Sequence, residues 1–287
     1  MRLRKLKYRK NMYWSYWSLF VKTIVPVLLL IFFPLLPLFF LTKIESHYLY
    51  MGLMPNKYYR VVLESVMRRM DVSLSFILGI LIFVSLMYFI RKNNKDAIYN
   101  GKGTIYYEYP YIFFWINSKI LGYNKIQLAG IPIYLQFKLV LNNTFHTIIP
   151  DAGKQFQEEE TTTETLCENF NQSTSTLNLI LEDTYQISLQ SLPDELRGLP
   201  RITVRTSQDI QGKRYKNPEF ISEIRKIVSK YNTKYETVNI FSTANPANNI
   251  EIINSSFRQF GRIGFKKVYV YQMDTPSCKY IKHHRIL

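Results

Sequence analysis

Two long uncharged runs dominate the alternation of hydrophobic and polar positions along the chain. Thr23 to Thr42 reads TIVPVLLLIFFPLLPLFFLT and Val72 to Ile90 reads VSLSFILGILIFVSLMYFI. As helices rising 1.5 Å per residue, both are long enough to cross a hydrocarbon core of about 30 Å, so both are predicted to span a membrane. Pro26, Pro34 and Pro37 in the first run each remove a backbone donor and predict bends. Neither run contains an ionisable side chain, which leaves a proton relay or ion pathway without a carrier. The basic stretch before the first run is long, and FLTKIES offers no small-x-small cleavage site. The first run therefore reads as an anchor and not as a cleaved signal peptide.

Between the spans, KYYRVVLESVMRRM (Lys57 to Met70) reads either as a short cationic helix in the interface or as an extension of the second span. Beyond the second span, Ile105 to Ile116 (IYYEYPYIFFWI) is too short to cross a bilayer; it either lies against the membrane surface or forms a strand. Tyr134 to Leu141 alternates, with Leu135, Phe137, Leu139 and Leu141 on one side, and predicts a half-buried strand. Residues 157–176 (QEEETTTETLCENFNQSTST) are acidic and Thr-rich, and predict a flexible linker.

From Leu177 the pattern becomes regular. LNLILEDTYQISL predicts strands on either side of a turn at Glu182-Asp183, and Arg201 to Arg205 another strand. Asn217-Pro218-Glu219 opens a helix, with Ile221, Ile224 and Val228 on its buried face. Thr237 to Phe241 is a strand, and Asn245-Pro246 opens a second helix carrying Ile250, Ile253, Phe257 and Phe260 before Gly261. Lys267 to Met273 is the last strand in this pattern. Strands alternating with helices predict a parallel sheet. The expected architecture is a two-span α-helical membrane anchor followed by a cytosolic α/β, Rossmann-like domain with a β-rich segment before it. Its parts are a basic N-terminus (1–22), spans at 23–42 and 72–90 joined by residues 43–71, an aromatic membrane-proximal part (91–156), the linker (157–176) and the α/β domain (177–287).

Charge sharpens this picture. The chain of 287 residues carries a formal net charge of +16. Residues 1–102 account for +12 of it and the remainder for +4, so the excess sits around the spans and nucleic acid is an unexpected partner. Eleven basic residues flank the outer ends of the two spans against five between them, which predicts a plasma-membrane protein with both termini in the cytoplasm. Two cysteines, Cys167 and Cys278, supply neither a disulfide scaffold nor a thiolate metal site.

Common catalytic and nucleotide-binding motifs are absent: there is no G-x-x-x-x-G-K-[ST], G-x-G-x-x-G, H-E-x-x-H or G-x-S-x-G. No catalytic constellation and no cofactor is therefore expected, and His283-His284 reads as a solvated basic tail. The candidate site is the loop from Phe241 to Asn249, which joins a strand's carboxyl end to a helix's amino end, where open α/β sheets bind ligands and anions. Ser242, Thr243, Asn245, Asn248 and Asn249 are the candidate contacts there; ordinary capping and turn chemistry would use the same residues. Thr206 and Ser207 would reach the same edge if the strands are parallel. Arg197, Arg201, Arg205, Lys213, Arg214 and Lys216 form a basic run suited to a nucleotide-like anion, or to a lipid surface.

Two functions follow. In one, the α/β domain is a sensor for a nucleotide-like or other anionic ligand and signals to the two spans, with self-association of several copies. In layout, though in no motif, this resembles two-span effectors of bacterial nucleotide-signalling defence systems. In the other, the chain is a non-catalytic scaffold subunit of a bacterial secretion or conjugation complex, with Ile105 to Ile116 as an interface.

Overall fold

The fold was analysed in a computed structural model of residues 1–287, of which 13–40, 56–59, 61–62, 65, 74–101, 105–153, 155–158, 162–206, 214–258, 264–274 and 277–287 are described. Two helices among these residues are long and apolar enough to cross a membrane, α1 (Tyr13–Phe39) and α2 (Leu74–Asn94). The former starts ten residues before the predicted span, and Tyr13, Trp14, Tyr16 and Trp17 stand exposed on this extension as interfacial anchors. Its prolines act locally. Pro26 begins a new α-helical stretch directly after a π-helical one (Phe20–Ile24), and Pro34 sits inside a 3-10 turn (Phe33–Leu35). Pro37 lies in the first turn of the resumed helix, where no helical donor is lost. The spans pack closely at the 3-10 turn: a Cβ on Gly79 of α2 would lie 2.5 Å from the carbonyl oxygen of Pro34. Glycine permits that approach because lipid offers no hydrophobic drive beyond close packing. Most of the 57–70 segment and residues Phe260 and Gly261 fall outside the described residues.

The part after α2 is not β-rich as expected. It contains α3 (Tyr111–Trp115), which continues into a π-helical turn (Ile116–Ile120), then β1 (Lys125–Gln127), α4 (Ile133–Leu141) and β2 (Thr147–Ile149). The predicted strand at Tyr134 to Leu141 is thus a helix. Pro132 stands at its N-cap, and Leu135, Gln136, Phe137, Leu139 and Val140 are all buried. A short helix buried over so broad a face shows the same alternation as a strand. Nor does Ile105 to Ile116 form a strand: Tyr107, Tyr109 and Phe114 are buried in one core with Tyr99, Tyr123 and Phe145. The base of α1 docks on this aromatic core, where Asn117 Nδ2 donates to Thr23 Oγ1 at 2.7 Å and the Lys22 ammonium to the Tyr99 carbonyl.

The sheet has six strands in the order β3-β5-β4-β6-β7-β8. These are β3 (Thr163–Glu168), β4 (Thr176–Glu182), β5 (Arg201–Thr206), β6 (Thr237–Ser242), β7 (Lys267–Asp274) and β8 (Lys279–Arg285). The four inner strands are parallel and both edge strands antiparallel, so the expected parallel sheet is corrected to a mixed one. Leu179, Leu181, Ile202, Val238, Ile240 and Val268 join one continuous core with α4, α6 (Pro218–Tyr231) and α7 (Pro246–Ile252), whereas the one-turn α5 (Asp194–Arg197) packs through Leu196 on the other side of the sheet. The alternate positions include Asn178, Thr203 and Asn239, and Asn239 Nδ2 donates to Asn178 Oδ1 at 3.0 Å. That face is covered too: Asn178, Thr203 and Asn239 are buried, and the short segment containing Ile187 and Leu192 packs against its apolar part at Ile180, Phe241, Tyr271 and Tyr280.

Three further expectations change. Residues 157–176 include β3, paired with β5 over six residues, because an edge strand gains backbone hydrogen bonds without burying its polar side chains. The strand expected directly after Asp183 is not formed: the chain turns away at the end of β4 and residues 184–188 pair with no strand. His283 and His284 belong to β8, and the His284 ring stacks on Tyr134 with centroids 3.5 Å apart. The two Asn-Pro helix starts are as expected, with Asn217 accepting from Phe220 N and Asn245 from Ala247 N and Asn248 N.

The Gly79 contact gives a first prediction. Gly79→Val is expected to push the spans apart at Pro34 and destabilise the detergent-solubilised protein by about 1–3 kcal/mol, the usual cost of overpacking. Thermal unfolding would show it as a lowered midpoint, whereas Gly79's exposed neighbour, Ile80→Val, should leave the midpoint nearly unchanged.

Candidate functional site

A carboxylate organises the carboxyl edge of the sheet. Asp183 follows β4 directly and is buried, and its Oδ2 accepts from Asn245 N, Asn245 Nδ2 and Asn248 Nδ2, all at 2.9 Å. Burial raises its pKa above the ordinary aspartate value, against the opposing effect of these donors and of the Arg214 charge. Thr243 ties the same ends together: its Oγ1 donates to Tyr185 O at 2.8 Å and accepts from Asp183 N at 3.2 Å. Thr184 Oγ1 donates in turn to Thr243 O at 2.6 Å.

This edge is where the strand order reverses. From β4 the chain passes to β5 on one side, and later strands build outward from β6 on the other. Such a switch point leaves a crevice outside the strand ends. Here it is a cleft of about 260 Å³, with Thr184, Tyr185, Thr243, Asn245 and Arg214 on the sheet side. Its opposite wall comes from the membrane-proximal part: Tyr106, the Ala129-Gly130 backbone and Gln136. Gly130 adopts φ +80°, and a Cβ there would meet the Ile105 carbonyl oxygen at 2.6 Å, so the wall's tight turn requires glycine. Gln136 fixes that wall by donating to Ile131 O at 2.8 Å and accepting from Asn249 Nδ2 at 2.9 Å.

Of the sequence-predicted residues, Thr243, Asn245 and Arg214 line the cleft. Ser242, Asn248, Asn249 and Thr206 are buried behind it and engaged within the fold: Ser242 Oγ accepts from Ala244 N, Asn248 Oδ1 from Asn217 N, and Thr206 Oγ1 donates to Asp183 O. The Asn245 side chain also caps α7, so the helix's first amides are already bonded. Arg205 leaves the group, since its guanidinium pairs at 2.6 Å with the buried Glu182 carboxylate. Arg197, Arg201 and Lys216 are likewise paired, with Asp194, Glu168 and Glu158 respectively. Ser207 and Lys213 lie outside the described residues. Among the described residues Arg214 makes no ion pair, which leaves it as the cation the cleft presents.

Sequence reasoning missed Asp183, which read as a turn, Thr184 and Tyr185, which read as the start of the strand after it, and Gln136, which read as part of a strand. An acid-Thr-Tyr sequence at a parallel strand's end was the available signal. No cluster of His, Cys, Asp or Glu suited to a metal is present among the described residues.

The molecule is therefore a membrane protein with two spans and an α/β domain whose switch-point cleft is walled by its own membrane-proximal part. Residues 7–287 match the SMODS- and Ubiquitin system-associated 2TM effector domain family (SUa-2TM), and the chain belongs to that family. Comparison with curated proteins gives no match. Among solved structures it is similar to the Cap4 SAVED/CARF-domain containing receptor of Acinetobacter baumannii, solved with the cyclic trinucleotides 3'3'3'-cAAA and 2'3'3'-cAAA. Each of these matches has 12% identity and a TM-score of 0.45, and covers 61% of this chain and 42% of the receptor. A further structure of that receptor gives 11% identity and a TM-score of 0.36, covering 61% of this chain and 38% of the receptor. The chain thus spans less than half the length of that receptor.

Asp183→Ala should strand three buried N–H donors and cost about 1–3 kcal/mol in thermal or denaturant unfolding. The pH dependence has a definite sign. Because the folded carboxyl's pKa is raised, its contribution to stability is full below about pH 4, the unfolded value, and is lost as pH rises through the folded value. Asp183→Asn, which cannot ionise, should flatten that part of the stability-versus-pH curve.

Proposed function

We propose that this effector is switched by a small nucleotide-like anion held in the Arg214 cleft, and that occupancy is passed to the two spans. The observation that carries the reading is that the cleft's two walls belong to different parts of the chain, the sheet edge and the membrane-proximal turn at Ala129-Gly130. A ligand bridging them biases their relative position through its own differential contacts. The route onward is a packed one. Gln136 lies on α4, which shares its core with Tyr99, Phe114 and Phe145, and that core holds Lys22 and Thr23 at the base of α1. A guanidinium, the Tyr185 hydroxyl and a turn of backbone suit a phosphodiester with its ribose. The Rossmann-like reading of the domain rests on the order of its four parallel strands around β4. In this reading both termini and the sheet are cytoplasmic, the chain is a sensor and not a catalyst, and several copies associate, since two spans alone enclose no pore.

Calorimetric titration of the full chain in detergent with a panel from mononucleotides to cyclic trinucleotides tests the cleft. One member should bind, and Arg214→Ala should weaken it at least about tenfold, as expected for a lost charge-assisted hydrogen bond, with little change in thermal midpoint. Absence of binding across the panel, with copurification of protein partners instead, would favour the scaffold reading. Topology has its own assay. Cys167 and Cys278 are both exposed and both follow the second span, so an impermeant thiol reagent should label them only in permeabilised cells. Labelling of intact cells would place the cleft outside and end the cytoplasmic-sensor reading.

A further inference from the structure

A second cavity, of about 600 Å³, runs along the outer side of α2 and is independent of the Arg214 cleft. Its length divides by chemistry. The first half is apolar, lined by Phe83, Val84, Met87 and Tyr88, of which Val84 and Tyr88 are more than half exposed. Its second half is cationic, lined by Arg91, Lys92 and Lys95, which continue the same helical stripe. From Phe83 to Lys95 the helix rises about 18 Å, slightly more than one leaflet of a ~30 Å hydrocarbon core. The apolar half therefore lies at acyl-chain depth and the cations at headgroup depth, on the side that carries the α/β domain.

Cations near the carboxyl end of a span are favourable by the helix dipole alone. What distinguishes this end is the wall opposite. Gly122 (φ +79°) and Asn124 close the groove from the membrane-proximal part. A Cβ on Gly122 would stand 2.9 Å from the Arg91 side chain, so only glycine lets the wall come this near. Arg91 is fixed against that wall, donating through one terminal nitrogen to Lys119 O at 2.8 Å and to Ile120 O at 3.1 Å. The two lysines are not so engaged. Lys92 stands over the Tyr88 ring, 5.9 Å from its centroid, and none of the eight ion pairs among the described residues includes Arg91, Lys92 or Lys95. The neighbouring acid, Asp96, is 87% exposed and faces Lys125 at 3.8 Å. Three cations at headgroup depth, with no carboxylate among the lining residues, face a groove whose other half is apolar.

We propose that this groove is a binding site for one anionic phospholipid, with its phosphate at Lys92 and Lys95 and an acyl chain along Phe83, Val84 and Met87. Bound there, the lipid touches both α2 and the turn at Gly122, and so braces the second span against the membrane-proximal part. The observations favour a lipid over a free anion because the apolar half of the groove has no use for a soluble phosphate.

Native mass spectrometry of the full chain, purified in mild detergent and offered phosphatidylglycerol or phosphatidylethanolamine, tests this. Phosphatidylglycerol adducts should survive activation at least about tenfold better than phosphatidylethanolamine, and Lys92→Gln/Lys95→Gln should remove that preference. Val84→Trp, which fills the apolar half without altering charge, should reduce both adducts. Lys226→Gln/Lys230→Gln, the same charge change on the distant helix α6, should leave them as in the wild type. Equal retention of the two lipids, an undiminished preference in the groove variants, or the same loss in the α6 variant would overturn the proposal. So would displacement of the lipid by millimolar glycerol phosphate, which would assign the site to a soluble anion.

Discussion

The buried Asp183 carboxylate is the fixed point of the soluble part. Taking a charge, or a carboxyl with one oxygen accepting three donors, out of water is costly unless every partner is in place. The chain supplies those partners from the loop after β6 and from the first turn of α7, more than sixty residues away in sequence. Meeting that demand fixes the end of β4, the cap of α7 and the chain before α6 in one arrangement. With these fixed, Thr184, Tyr185 and Arg214 line the crevice beside them.

The same economy explains why the expected anion contacts became structural. Asn245, Asn248 and Thr206 are short polar side chains that bond backbone groups beside them: Asn245 caps its own helix, while Asn248 and Thr206 reach Asn217 N and Asp183 O across the fold. Near a buried carboxylate and a helix start, those local demands are met before any ligand arrives. Longer side chains behave differently: Arg205 and Arg201 reach acids on neighbouring strands, whereas Arg214 forms no ion pair among the described residues and only its charge reaches Asp183, whose Oδ2 already accepts from three amide N–H groups. A cation in that position is held near the site without being consumed by it.

Continuity of the core matters as much as the cleft. The aromatic cluster around Tyr99, the helix α4 and the apolar face of the sheet form one packed body. The two π-helical stretches carrying Thr23 and Asn117 meet across it. Single π-helical turns inside α-helices recur at functional positions. The base of α1 is thus joined to the soluble body through side chains packed and hydrogen-bonded across the core, and not merely tethered by a loop.

The sequence by itself determined both spans, the Asn-Pro helix starts and the inner strands, because each rests on interactions within a few residues: apolar length, a cap, or a run of β-branched side chains. It also marked the strand-to-helix loop at Phe241 to Asn249. Tertiary structure alone decided the rest. Tyr134 to Leu141 is helical because its surroundings bury nearly all of it, which erases the polar face that a helix normally shows. Thr163–Glu168 and Lys279–Arg285 are strands because an existing sheet offers them unpaired edges, a drive that leaves no hydrophobic trace in their own residues. The cleft was half legible: its sheet side followed from strand order, but the wall at Tyr106, Gly130 and Gln136 depends on a long-range packing that local pattern does not encode.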